Sequence, residues 1–217
     1  LIGVANGTDT KMTNCWFAGT ITNVSAVTGG LVGDVYDNVT LTMEGCTFTG
    51  VVDVTACTNE TPYAGGLVGQ GGHGNSGVIN INDCFIAGKI KANTTTTVAA
   101  SVGGLNKNGK VNADGVYYAS TASSRSIYLC GAVEDLSGSI YKVDAYTGSV
   151  AQDNMKNLDW DNTWKTVSYG IPVLTVFEKE AFDTSWYNED KMVYVLEDIG
   201  DLYGFAELSK EINFAGK

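Results

Sequence analysis

Few residues in this chain can do chemistry. Its one histidine, His73, stands in the glycine-rich stretch Gly69-Gln70-Gly71-Gly72-His73-Gly74. One imidazole excludes a His-Glu-x-x-His zinc site in this chain. A Ser-His-Asp triad would rest its base on a flexible loop, which preorganises poorly. The same stretch spells Gly-x-Gly-x-x-Gly, yet Val78–Asp83 reads as a strand where a dinucleotide fold needs a helix. It also approaches the calcium-binding nonapeptide over Gly71–Val78, but Ser76 replaces the metal-binding Asp and there is one copy. His73 therefore reads as an exposed loop residue. No metal and no cofactor are expected.

Carboxylates are the other candidates. A lyase acting on uronates wants a strong base with Lys or Arg to pair the substrate carboxylate. A glycoside hydrolase wants two carboxylates about 5 to 9.5 Å apart. Residues 1–110 hold Lys11, Lys89, Lys91, Lys107 and Lys110, no Arg, and among their acids Asp34, Asp37, Asp53 and Asp83. Asp53 and Lys91 each stand seven residues beyond a repeated Cys, Cys46 and Cys84. That alignment makes them an ordinary cross-strand pair. The expectation is a non-enzyme without catalytic residues, with a polysaccharide-degrading enzyme as the alternative.

The elements that position these residues come from an internal repeat. Gly29-Gly30-Leu31-Val32-Gly33 returns as Gly65-Gly66-Leu67-Val68-Gly69 and as Gly103-Gly104-Leu105, and Leu1-Ile2-Gly3 fits the same frame. A second marker keeps step: Asn14-Cys15-Trp16-Phe17, Gly45-Cys46-Thr47-Phe48 and Asp83-Cys84-Phe85-Ile86. After each Cys, apolar residues alternate with period two, the signature of a strand with one face inward. Identical strands at a fixed period stack in register as parallel neighbours. The expected fold is mainly β, a parallel β-helix of about three coils. A β-rich closing segment and a short C-terminal helix follow.

In that frame Cys15, Cys46 and Cys84 share one inward position and form a buried ladder of reduced thiols. Parallel strands about 4.8 Å apart leave a single ladder disulfide geometrically open. Cys57 and Cys130 fall outside the ladder, and nothing local supports their pairing. The position after each Cys faces outward and holds Trp16, Thr47 and Phe85, a stripe that either anchors a partner or lies under a neighbouring segment. Tyr36, Tyr63 and His73 are read as corner-loop residues and complete the candidate binding set.

Composition agrees. The chain has 217 residues with 27 Gly and 2 Pro, and 24 acids against 13 bases give a net charge of −11. Residues 1–110 carry 7 acids and 5 bases, and residues 111–217 carry 17 and 8, so the acid gathers in the second half. Arg125 is the lone arginine, and phosphate tracking needs clustered cations, so no nucleic-acid partner is expected. No apolar run approaches the roughly 18 to 20 residues of a membrane helix, and no membrane insertion is expected. Leu1 opens in mid-pattern with no signal peptide, which reads as a mature or excised piece.

Gly-Gly-Leu-Val-Gly followed by such strands resembles the GLUG-motif repeats of bacterial surface proteins. The closing stretch Asn157-Leu158-Asp159-Trp160-Asp161-Asn162-Thr163-Trp164, with Tyr169-Gly170-Ile171-Pro172-Val173-Leu174, resembles the end of such domains. Asp183-Thr184-Ser185-Trp186-Tyr187-Asn188 to Phe214-Ala215-Gly216-Lys217 is similar to the start of one. The resemblance implies right-handed β-helices in a larger tandem array. It also implies an extracellular, wall-attached location on a bacterial surface. The module would be adhesive or a stalk, with host extracellular proteins or glycans, immunoglobulin or mucin among them, and neighbouring modules of the same chain as partners. The organisation expected is a β-helix over 1–118, a closing segment over 119–177, and over 178–217 a linker and the start of a following module. There Asp198 would cap a helix presenting Leu202, Phe205, Leu208 or Ser209, and Ile212 on one face.

Overall fold

The computed structural model describes the chain apart from residues 8, 23–26, 37, 59–62, 74–76, 93–97, 101–102, 106–109, 122–126, 130–135, 168–169, 178–183, 197–198, 210–211 and 215–217. Its first layer is β1 (Ile2–Ala5), β2 (Thr10–Thr13), β3 (Trp16–Phe17) and β4 (Thr20–Thr22). The second is β5 (Val27–Gly29), β6 (Val32–Tyr36), β7 (Thr40–Glu44), β8 (Thr47–Phe48) and β9 (Val51–Asp53). The third is β10 (Tyr63–Gly65), β11 (Val68–His73), β12 (Val78–Ile86) and β13 (Lys89–Lys91). β14 (Val98–Ala100), β15 (Gly103–Leu105) and β16 (Lys110–Ala119) form a fourth, and β17 (Ile127–Leu129) and β18 (Leu136–Val143) a fifth.

Each strand pairs in parallel with its counterpart one layer away. One sheet runs β1-β6-β11-β15-β17 and another β18-β16-β12-β7-β2, with β3 and β8 joined to it. β14-β10-β5 and β13-β9-β4 make two smaller sheets. The molecule is thus mainly β with parallel sheets, and no sheet closes on itself among the described residues.

Two expectations need correction. Parallel pairing does not stop at residue 118 after about three turns. It continues through β16 to β18, where Ile140 lies beside Val116 and Val116 beside Cys84. Those layers were hidden because Val and Ile replace the marker Cys. The third Gly-Gly-Leu is also out of step. Val68 pairs with Gly103 and Gly65 with Ala100, so Ala100 and not Gly103 stands opposite the first glycine of the second repeat.

The core lies between the sheets. Leu31, Leu67, Leu41, Met43, Cys46, Phe48, Ile79, Ile81, Cys84 and Ile86 are buried in it. Phe48 shows why glycine recurs. An added Cβ on Gly30 or on Gly88 would sit 2.4 Å from its ring, so the missing side chains make the space that the phenyl fills. Phe17 stacks on Phe48 with centroids 6.1 Å apart. Outside, Asn80 donates to Thr42 Oγ1 (3.4 Å), Asn112 to Asn80 Oδ1 (2.7 Å) and Ser137 to Asn112 Oδ1 (3.1 Å), a polar ladder across four strands.

After β18 come α1 (Val150–Asn154), the antiparallel pair β19 (Trp164–Lys165) and β20 (Val173–Leu174), and a 3-10 turn at Thr175–Phe177. Helix α2 (Ile199–Leu208) is the expected C-terminal helix, and Asp198 lies outside the described residues. Its predicted apolar face is covered only in part. Leu202 is 50% exposed, while Gly200, Asp201 and Gly204 are buried. Trp186, Tyr187, Tyr194, Phe205 and Phe214 cluster nearby, the closest pair being Phe205 and Phe214 at 5.0 Å.

Candidate functional site

A column of left-handed residues organises the outer face of the sheet that holds β12. Asn14, Gly45, Asp83 and Gly115 have φ of 51°, 58°, 53° and 58°. They directly precede Cys15, Cys46, Cys84 and Val116 and are of the three types that tolerate this conformation most readily. Each inserts one residue into the alternation. The inward positions are Leu41 and Met43 before the bend and Cys46 and Phe48 after it. The letters Asn, Gly and Asp before each Cys were a legible signal for this bend, and sequence reasoning passed over it.

Beyond the bend the outward row runs Trp16, Thr47, Phe85, Tyr117 and Tyr141. It is not an open stripe. Thr47 and Phe85 are fully buried and Trp16 is half-buried. The segment 144–177 folds back over the row, and Ala151, Met155, Leu158, Trp164 and Leu174 join Phe85 and Tyr117 in a second core. Trp16 packs on Phe177 at 5.9 Å, and Phe85 on Tyr146 at 5.6 Å and Trp164 at 6.4 Å. Trp16 Nε1 donates to Thr49 Oγ1 at 2.8 Å, and Thr47 Oγ1 to Phe85 O at 2.8 Å. These residues therefore seat the chain's own closing segment.

Asp83 fastens that segment. Its Oδ1 accepts from Asp159 N at 2.7 Å and from Trp164 Nε1 at 2.9 Å. Asp159 in turn holds its own loop, accepting from Asp161 N, Asn162 N and Thr163 Oγ1 at 3.2, 3.1 and 3.3 Å. Those bonds, Asn162 foremost, keep the Asp159 carboxyl below its ordinary range. Burial does the opposite to Asp83. It pushes the carboxyl up to about 6, the Asp159 charge adds to the rise, and the donated hydrogen bonds oppose it. Tyr117 Oη accepts from Asn157 N at 3.1 Å, beside Gly115, where an added Cβ would meet Asn157 O at 2.5 Å.

The raised Asp83 gives stability a sign with pH. From the ordinary 3.8 to about 6, the folded chain holds a proton that the unfolded chain has released. Unfolding then releases that proton, so this contribution is complete at low pH and is lost as pH rises through the window. Asp83→Asn keeps the left-handed preference and an accepting oxygen but cannot titrate. Urea midpoints are expected to lose that descending limb in the variant, and an unchanged slope would assign it to another group.

The remaining candidates lie in strands, not corner loops. His73 ends β11, and its backbone pairs with that of Tyr36 on β6, which is 37% exposed. Gly69 stands in this strand where neighbouring backbone is close: a Cβ there would meet Gly33 O at 2.6 Å. Tyr63 is half-buried on β10, in a different sheet. The structure thus brings Tyr36 and His73 side by side and leaves Tyr63 apart.

The carboxylates considered for hydrolysis are dispersed. Asp34 is buried on β6, opposite Gln70, and Asp53 sits on β9 with Lys91 Nζ 3.6 Å away, as the alignment predicted. Asp37 and Cys130 lie outside the described residues. Cys15, Cys46, Cys57 and Cys84 are in the thiol form, with no disulfide between them. No group of three or more metal-ligating side chains is found among the described residues, and no described helix is long and apolar enough to cross a membrane. No family model, curated protein or solved structure matches the chain.

Proposed function

We propose that the chain is a non-catalytic module of a bacterial cell-surface protein, wound as a right-handed parallel β-helix, that serves as a stiff extracellular scaffold. The observation that carries this reading is the layer-on-layer parallel pairing from β1 to β18. Each further repeat lengthens such a stack by about 4.8 Å without changing its cross-section, which is what a spacer needs. The GLUG-type markers and the dispersed carboxylates support the same reading. Neighbouring modules of the same chain are its first partners.

Binding is the second part of the proposal. With Thr47 and Phe85 buried and Trp16 half-buried, the end of β6, where Tyr36 is exposed and its backbone pairs with that of His73, is the place an immunoglobulin, a mucin or another host protein or glycan would meet. The test compares the native fragment with Tyr36→Ala and His73→Ala on immobilised immunoglobulin and mucin. Retention that falls at least about tenfold in either variant, with an unchanged circular dichroism spectrum, supports a recognition role. Equal or absent retention in folded protein reduces the reading to a stalk, and turnover of a polysaccharide panel would overturn it.

A further inference from the structure

Three thiols share one row of the core. Cys15 lies beside Cys46 because Trp16 pairs with Thr47, and Cys84 lies on the other side because Phe85 also pairs with Thr47. All three sulfurs turn the same way. Cys15 Sγ donates to Thr13 O at 3.4 Å, Cys46 Sγ to Glu44 O at 3.5 Å and Cys84 Sγ to Asn82 O at 3.1 Å. Neighbouring parallel strands are about 4.8 Å apart, inside the Cα separation of about 4.4 to 6.8 Å that a disulfide spans.

The three differ in access. Cys46 and Cys84 are fully buried, whereas Cys15 is partly exposed.

We propose that Cys15 and Cys46 are an oxidisable pair, joined by exchange with a low-molecular-weight disulfide into a staple between the first and second layers. The Cys15 thiolate attacks one sulfur of the small disulfide, giving a mixed disulfide and releasing one small thiolate. The Cys46 thiolate then attacks the Cys15 sulfur and displaces the second. Two protein thiols lose two electrons and two protons, and the small disulfide leaves as two thiols. Burial pushes the Cys15 thiol up, which makes the first attack the slow step. The Cys84 thiol supports the second, because its hydrogen bond pulls Cys46 down, against burial, to about 7. Cys84 itself is pushed up by burial and stays a protonated donor.

The test oxidises the folded chain with excess glutathione disulfide, blocks remaining thiols and digests without reduction after Glu residues. Cuts after Glu44, Glu60 and Glu134 place Cys15, Cys46 and Cys84 on separate peptides. The expected product links the peptide ending at Glu44 to peptide 45–60, with fragment spectra placing the bond on Cys46 and not Cys57. Dithiothreitol reverses it. Amide exchange over Ile2–Thr22 is expected to slow at least about tenfold on oxidation. Cys15→Ser is expected to abolish the link while leaving the urea midpoint of the reduced protein unchanged. Glutathione retained on Cys15 without a link overturns the proposal. So does a bond from Cys46 to Cys84, a bond through Cys57, or no loss of thiol from folded chain.

Discussion

Gly65→Ala is expected to cost about 4–5 kcal/mol, the far end of the range for single substitutions and comparable with the whole stability of many domains. The added Cβ would lie 1.8 Å from Val68 O and 2.8 Å from Gly103 Cα. Both are backbone atoms. The first belongs to the corner that Gly65 itself starts, and the second to the neighbouring layer. Relief requires opening the corner, where Gly30 N donates to Gly65 O at 3.0 Å and Leu31 N to Leu67 O at 3.1 Å. Gly3→Ala is the control, because a Cβ there meets nothing within 4 Å. It is expected to change stability by no more than about 0.5 kcal/mol. Urea denaturation of the two variants checks the pair, and a mild effect at Gly65 would show that the corner gives way.

Trp164→Ala is expected to cost about 3–5 kcal/mol and to free the closing segment. The indole is 1% exposed, packs its edge on Phe85 and donates to Asp83 Oδ1. Truncation leaves a cavity over Phe85 and takes a donor from a half-buried carboxylate. Trp164→Phe restores much of the packing without the donor, and is expected to cost about 1–3 kcal/mol. Limited proteolysis separates the local consequence from the global one. Cleavage within 144–177 should precede cleavage of the stacked layers in Trp164→Ala, and simultaneous cleavage would mean that the two cores unfold as one.

The pH argument and the tryptophan argument meet at Asp83. Its left-handed backbone turns the strand, its carboxylate receives the closing segment, and its burial follows from that docking. Asp83→Ala would remove all three contributions together, which is why Asp83→Asn isolates the titration.

Part of this was legible in the chain alone. Period-two alternation after Cys15, Cys46 and Cys84 turned those thiols toward the core, because a pleated strand sends alternate side chains to opposite faces wherever it lies. The same count placed Lys91 beside Asp53. Glycine pairs marked corners, because backbone there approaches backbone more closely than a Cβ allows. Local rules of this kind act over a few residues and survive any larger arrangement.

What the tertiary structure decided is everything that depended on a distant segment. Trp16, Thr47 and Phe85 carry the same outward pattern whether exposed or covered. Only the return of 144–177, bringing Trp164 to Asp83 across 81 residues of chain, made them a second core. The fourth and fifth layers escaped notice because a stack is held by backbone pairing and inward volume, which Val116 and Ile140 supply as well as Cys does. His73 joined a strand because its neighbours in the next layer, and not its glycine-rich surroundings, set its backbone. The sequence by itself determined which face each residue of a marked strand presents, since that follows from the pleat. Which faces meet water was left to tertiary packing, since solvent exposure depends on what the rest of the chain lays against them.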